Sequence, residues 1–307
     1  MKKFFQKIAL FLLLTICVGE IAVRITHVNA DIPQRIIDAD GIQKYYPNQE
    51  GYWKGGDHKW IINSMGWPGE LPKSYDNLIS IIGDSYIENF MNPNECHQSS
   101  YLKKQMPNYN FFEAARSGVT LIESMEISKQ IDSLKPILTV IHTGDGDIYE
   151  SIKEIISLTD ITQLNTNKEI IVQGKMKSPG LKKVLYSCKL LYYLYNRFPI
   201  NLGNETKEDS KNIKVESSKF ETNETKVRIL INYIKNNYNI DDKIFVFKPN
   251  SDKNIINIFK SLGLKTILLN PSNDKSWSFD YDPHWTCYGH ERVANQISNK
   301  LKSSLIK

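Results

Sequence analysis

An α/β domain built on a mostly parallel sheet is the fold class this sequence predicts, and three observations predict it. Short apolar runs alternate with amphipathic stretches from Asn77 onward, which is the strand-and-helix alternation of βαβ units. The 307 residues, 41% hydrophobic and 24% charged, suit one globular domain of ordinary size. No internal repeat is present, which sets solenoids and propellers aside.

At the N-terminus, Lys2, Lys3 and Lys7 precede the apolar run Ile8 to Val18, the charge-then-hydrophobic order of an export signal. Residues 1–30 therefore read as a signal peptide or an N-terminal membrane anchor. The uninterrupted run is short for a span of about 20 residues. Val28-Asn29-Ala30 offers small residues for cleavage, but Glu20 and Arg24 lie in the long stretch before them, and a retained anchor is the favoured reading. The rest of the chain is then expected outside the cytoplasm, anchored, or secreted or periplasmic if the signal is cleaved. Lipidation at Cys17 is disfavoured by bulky Ile16 before it.

Residues 31–307 form the predicted domain, and its first part, 31–76, rich in Gly, Pro, Asn and Trp, reads as an irregular lead-in. Strands are expected at Leu78 to Ile82, Tyr109 to Glu113, Ile137 to His142, Ile244 to Phe247 and Thr266 to Leu269. Helices are expected at Thr120 to Leu134, Thr225 to Asn236, Lys253 to Ser261 and Glu291 to Leu305. A helical and polar insertion, about 151–222, interrupts the alternation. Within it Tyr186, Leu190, Tyr193 and Leu194 recur at steps of three and four, which predicts a helix packing into the core. The polar run Glu205 to Lys219 reads as a solvated loop.

The formal charge of +5 is spread over Lys mixed with Asp and Glu, with no basic block interleaved with aromatics, so nucleic acid is excluded as a partner. Cys17, Cys96, Cys188 and Cys287 show neither CxxC nor Cys/His clustering, so no metal is implied. They are expected as buried thiols, with one disulfide among the last three left open. His97 and His142 have no acidic or cysteine companions at ligand spacing and read as structural. Dinucleotide and P-loop signatures are absent and no cofactor is expected.

Two motifs carry chemistry. Ile81-Ile82-Gly83-Asp84-Ser85 is an apolar strand ending in a small residue, an acid and a serine. A serine projecting from a strand end toward a base gains nucleophilicity, and amides of a following helix lie near a developing oxyanion. Near the C-terminus stands Asp282-Pro283-His284-Trp285. An Asp and a His two residues apart on a turn stiffened by Pro283 let the carboxylate orient the imidazole while its other nitrogen faces Ser85.

Gly83-Asp84-Ser85 and Asp282-Pro283-His284 resemble the first and last signature blocks of the SGNH/GDSL hydrolase superfamily. Asn63-Ser64-Met65-Gly66-Trp67 resembles the Asn-x-x-Gly-aromatic lead-in of its membrane-anchored members, and Gly19 to Arg24 the stretch that ends their anchors. The resemblance implies a flavodoxin-like three-layer α/β/α sandwich, with Ser85, Asp282 and His284 as catalytic triad. Ser85 and Gly118, the latter in Ser117-Gly118-Val119, are the implied backbone oxyanion donors. The third block departs from the family's Gly-x-Asn-Asp: the chain reads Thr143-Gly144-Asp145-Gly146-Asp147, with Gly146 in place of the asparagine. Three readings stay open. Backbone N–H groups of Gly144 or Gly146 replace the lost amide, Gly146 makes room for a bulky acceptor such as a glycan, or the fold binds without catalysing. Trp277, Trp285 and Tyr288 either stack on a sugar face or pack beneath the triad turn. What the resemblance implies is a serine O-acyl esterase acting on an acylated envelope or exported polysaccharide or a small ester. An O-acetyltransferase and a silent carbohydrate binder are the alternatives.

Overall fold

The computed structural model describes residues 1–198, 217–271 and 275–305. It opens with helix α1 (Lys2–Thr26), then two hairpins, β1 (Arg35–Ile37) with β2 (Gln43–Tyr45) and β3 (Glu50–Tyr52) with β4 (Lys59–Ile61). The lead-in thus holds four three-residue strands among longer irregular stretches, and the strands were not expected there. Its pattern is invisible to periodicity because each strand is only three residues long.

The alternating core follows: β5 (Leu78–Gly83), α2 (Ser85–Glu88), α3 (Gln98–Gln105), β6 (Asn110–Ala115), α4 (Leu121–Ile131), β7 (Leu138–Thr143) and α5 (Asp145–Glu150). The insertion supplies β8 (Gln163–Asn165), β9 (Ile170–Val172), α6 (Pro179–Ser187) and α7 (Lys189–Arg197). The chain then runs through α8 (Ser217–Asn237), β10 (Lys243–Phe247), α9 (Lys253–Ser261), β11 (Lys265–Leu268), β12 (Ser278–Phe279), β13 (Asp282–Trp285) and α10 (Cys287–Leu305). Of the predicted polar loop, 205–216 lies outside the described residues, and its end already belongs to α8.

β11, β10, β7, β5 and β6 lie in that order in one sheet, every pairing parallel. Numbered along the sheet's own sequence the order is 2-1-3-4-5, the flavodoxin-like winding, which places the topological switch point between β5 and β7. All six residues of β5 are buried, because helices cover both faces. Alternation divides the core accordingly. Ile82, Phe112, Ile141 and Phe245 pack toward α4, α8 and α9, while Ile79, Ile81, Val140 and Val246 pack toward α3 and α10. The α/β/α sandwich is thus present as expected.

The insertion differs from its sequence reading. No residue of α6 or α7 is buried, so Tyr186, Leu190, Tyr193 and Leu194 are not part of the core. Helical spacing shows that the apolar side chains share a face, but not what covers that face.

Candidate active site

Three loops flank the switch point, those leaving β5, β6 and β7. Ser85 is the first residue of α2, directly after β5, and Asp84 caps that helix by accepting the Tyr86 N–H at 3.0 Å. Gly83 is required by close approach: a Cβ there would stand 3.2 Å from the His142 Cβ and closer still to Ile87.

Asp282 and His284 lie on the extended strand β13 rather than on a turn. The two-residue period of a strand puts both side chains on one face. The His284 Nε2 lies 2.7 Å from the Ser85 Oγ. Its Nδ1 meets the Asp282 carboxylate in a short contact, and that carboxylate also accepts the His284 N–H at 2.8 Å. Burial opposes ionisation of Asp282, but these His284 bonds outweigh it and hold the carboxyl below its usual range. Residues 199 apart in sequence thus form one Asp–His–Ser relay.

Strand β13 is tied to the loop after α2 in two ways. Asn92 Nδ2 donates to the Trp285 carbonyl at 2.8 Å, and Cys96 forms a disulfide with Cys287, three residues beyond His284. Two of the four cysteines are therefore paired, and Cys17 and Cys188 are exposed free thiols rather than buried ones. Trp277 and Trp285 are buried beneath the strand, which decides for packing over sugar stacking. Tyr281, beside Asp282, is instead the exposed aromatic, at 77%.

Gly118 sits at the turn from β6 into α4 with φ +78°, the left-handed region where a side chain is strained. Since Gly83 and Ala115 are register partners, this turn leaves the sheet beside Ser85. The preceding Ser117 is held at each polar group. Its N–H donates to Glu88 Oε1 at 2.7 Å, its hydroxyl donates to the same carboxylate, and its carbonyl accepts Arg116 Nη1 at 2.6 Å. Glu88 is buried and also accepts the Tyr45 hydroxyl from the lead-in. Arg116 is fixed by Glu123 at 2.6 Å and by the Gln43 carbonyl at 3.1 Å.

The third loop corrects one expectation. The Gly144 N–H donates to Asp147 Oδ2 at 2.7 Å, so it is not free to replace the missing asparagine. Gly146 lies in the first turn of α5, where amides lack an intrahelical acceptor. A Cβ built on it meets nothing within 4 Å. Asp145 is turned away from the site, accepting the Asp252 N–H at 2.9 Å.

Lys248, which the sequence reading missed, binds the first and third loops together. Its Nζ lies 2.8 Å from Asp84 Oδ2, 3.5 Å from Asp147 Oδ2 and 4.0 Å from the centre of the Tyr86 ring, which in turn lies 4.7 Å from the His284 ring. Burial works to lower its pKa, but the two carboxylates outweigh it and raise it. Burial, with the Asp84 charge adding, pushes Asp147 up to about 8. The available signal was position, a lysine directly after the C-terminal end of β10. His142 is buried behind Gly83 and pushed down to about 3 by burial. His97 bonds Glu113 at 2.7 Å. Among the described residues no cluster fit to hold a metal ion occurs.

Sheet order, the Gly-Asp-Ser turn on the first strand and Asp-x-His ahead of the last helix together make this an SGNH/GDSL-like hydrolase fold. No protein-family model and no curated protein sequence matches the chain. Solved structures similar to it include a G-D-S-L family protein from Desulfitobacterium hafniense, at 12% identity, covering 73% of this chain and 98% of that one, TM-score 0.37. An acetyl xylan esterase from Butyrivibrio proteoclasticus aligns at 10% identity over 76% of this chain and 64% of its own, TM-score 0.38. A psychrotrophic esterase from Pseudoalteromonas sp. aligns at 11% identity over 76% and 100%, TM-score 0.39.

Proposed function

We propose that the chain is a serine-dependent O-acyl esterase of the SGNH/GDSL type, acting outside the cytoplasm on an acylated, most simply acetylated, polysaccharide. The observation that carries this reading is the Ser85–His284–Asp282 relay at the switch point of a parallel sheet, with the His284 Nε2 at 2.7 Å from Ser85 Oγ. His284 takes the Ser85 proton as Oγ attacks the ester carbonyl, and the oxyanion forms against the Ser85 and Gly118 amides. The imidazolium, held by Asp282, returns the proton to the leaving alkoxide as its C–O bond breaks, leaving an acyl-serine. Water, deprotonated by His284, then releases the acid and free Ser85; a sugar hydroxyl in its place makes the enzyme a transferase. Export is supported by the 25-residue apolar helix α1 and by the disulfide, since disulfides persist in oxidising compartments. A carbohydrate is supported by exposed Tyr281 beside the relay, because aromatic faces stack on sugar rings.

The test uses the full-length protein in detergent with p-nitrophenyl acetate. Wild type is expected to turn over, and Ser85→Ala or His284→Ala to lose about 10³-fold or more in kcat. Ser85-dependent turnover only when a sugar acceptor accompanies the acyl donor would replace the esterase by a transferase, and inertness under both conditions would leave a binding protein.

A further inference from the structure

Helices α6 and α7 carry an apolar stripe that the other described residues leave exposed. Leu191, Leu194, Tyr195 and Phe198 recur at steps of three, one and three, the spacing of a single helix face, and are between 42% and 65% exposed. Leu181 and Val184 add a second exposed pair on α6, at 68% and 56%. Around the stripe the composition is one-sided: from Ile170 to Asn204 the sequence holds six Lys and Arg residues and no Asp or Glu. Tyr186, Tyr192, Tyr193 and Tyr195 lie in the same two helices. Apolar face, cationic flanks and tyrosines are the composition of a helix lying in a membrane interface.

The position of the pair agrees with its composition. Glu20, near the domain end of α1, accepts the first two amides of α7, Lys189 N–H at 3.0 Å and Leu190 N–H at 2.7 Å. Arg24 pairs with Glu20 at 2.6 Å and donates to the Ser187 carbonyl at 2.8 Å. The charges that interrupt the apolar character of α1 are thereby matched to each other and to backbone groups, as depth in a bilayer requires. Helix α1 as a whole, 25 residues, is long and apolar enough to cross a bilayer, and α7 meets it at its domain end through Glu20. A second apolar element at that end of α1 extends the contact with lipid.

Resting on the reading of α1 as a membrane anchor, we infer that α6 and α7 dock on the bilayer beside it, with Leu191, Leu194, Tyr195 and Phe198 among the acyl chains and the exposed cations Lys182, Lys183 and Arg197 toward anionic headgroups, Lys177 and Lys189 being held by Asp160 and Asp31. The catalytic domain is then held against the membrane surface at a second point rather than swinging on a tether.

The two free thiols report on the two halves of this inference separately. Full-length protein, with the Cys96–Cys287 disulfide intact, is reconstituted in vesicles of phosphatidylcholine and phosphatidylglycerol. Single reporters are Cys17 in Cys188→Ser protein, Cys188 in Cys17→Ser protein, and Leu194→Cys or Tyr281→Cys with both free thiols replaced by Ser. Each carries an environment-sensitive fluorophore and is quenched by deep or shallow nitroxide lipids or by aqueous iodide. Cys17 is expected to lose intensity to deep nitroxides, and Cys188 and Leu194→Cys to shallow ones with protection from iodide. Tyr281→Cys is expected to respond to iodide alone. Iodide quenching of Cys188 and Leu194→Cys with Cys17 still reached by deep lipid would overturn the docking and leave the anchor standing. Iodide quenching of Cys17 as well would overturn both. Protection of Leu194→Cys from every quencher would overturn the docking in favour of cover by protein, whether a second copy or this chain's own insertion.

Discussion

Replacing Gly146 by asparagine separates the readings of the third loop. The substitution is sterically open, since a Cβ at Gly146 meets nothing within 4 Å and its φ lies outside the left-handed region. Stability is expected to rise by about 0.3 kcal/mol, because glycine lies about 1 kcal/mol below alanine in a helix and asparagine recovers only part of that difference. Catalysis is bounded by the cost of removing one oxyanion donor, about 10²–10³ in kcat. With backbone donors already present and the rotamer of the introduced amide unconstrained by neighbours, an increase of about tenfold is the expected fraction of that range. Initial rates with p-nitrophenyl acetate across substrate concentration give kcat and KM separately, and an oxyanion donor raises kcat at nearly constant KM. A raised melting temperature with unchanged kcat would refute the placement of residue 146 at the oxyanion. A raised KM for a glycan ester with p-nitrophenyl acetate rates unaltered would instead show that Gly146 makes room for the substrate.

Three further outcomes follow from other contacts. Cys96→Ala/Cys287→Ala opens a disulfide separated by 191 residues, and chain entropy predicts a loss of about 3–5 kcal/mol; a urea midpoint unchanged from the oxidised protein would refute the bond. Asp147, pushed up to about 8, keeps its proton in the folded state while the unfolded chain releases it near 4, so stability falls as pH rises through that window. Asp147→Asn should flatten the decline in melting temperature between pH 5 and pH 8, and an equal slope in both proteins would exclude Asp147 as its source. Glu88→Gln leaves one acceptor oxygen for three donors at the turn that carries Gly118, the proposed oxyanion donor, so kcat should drop about tenfold or more with KM nearly constant; a change confined to KM would show that Glu88 does not govern that turn.

The sheet was legible because its inner strands, such as Leu78–Gly83 and Leu138–Thr143, are apolar runs buried along their whole length. Leu78–Gly83 and Lys243–Phe247 differ from their predicted ends by one residue. Ser85, Asp282 and His284 were legible because strand end, acid and histidine occupy recognisable local contexts. Lys248, Glu88 and the Cys96–Cys287 bond were not, because each acts across the fold through a partner distant in sequence: Asp84, Ser117 and Cys287 itself. The lead-in failed for another reason. Three-residue strands such as Gln43–Tyr45 owe their conformation to tertiary packing, and Tyr45, 1% exposed, packs with Trp60, Ile62 and Phe90 and donates to Glu88. The helices of the insertion were foreseen by spacing, but the same spacing serves a core face and a lipid face equally well.

The ordered lead-in joins the two ends of the molecule. Asp31 pairs with Lys189 of α7 at 2.5 Å, where the insertion meets α1. Fourteen residues later, Tyr45 donates to the carboxylate that holds Ser117, and the Gln43 carbonyl accepts from the arginine that holds the same residue from the other side. Between these points a cavity of about 400 Å³ opens between α6 and the first hairpin, lined by Arg35, Gln43, Lys177, Lys182, Lys183 and Tyr186. One wall is therefore the element inferred to lie on lipid, and the other includes Gln43, whose carbonyl holds Arg116 beside Ser117. On the proposed anchoring, segment 31–76 connects the domain end of α1 to the turn that carries Gly118, through Asp31 at one end and Gln43 and Tyr45 at the other. A flexible tether between anchor and domain would satisfy export equally well, yet it would not require Tyr45 and Gln43 to be buried against the catalytic loops.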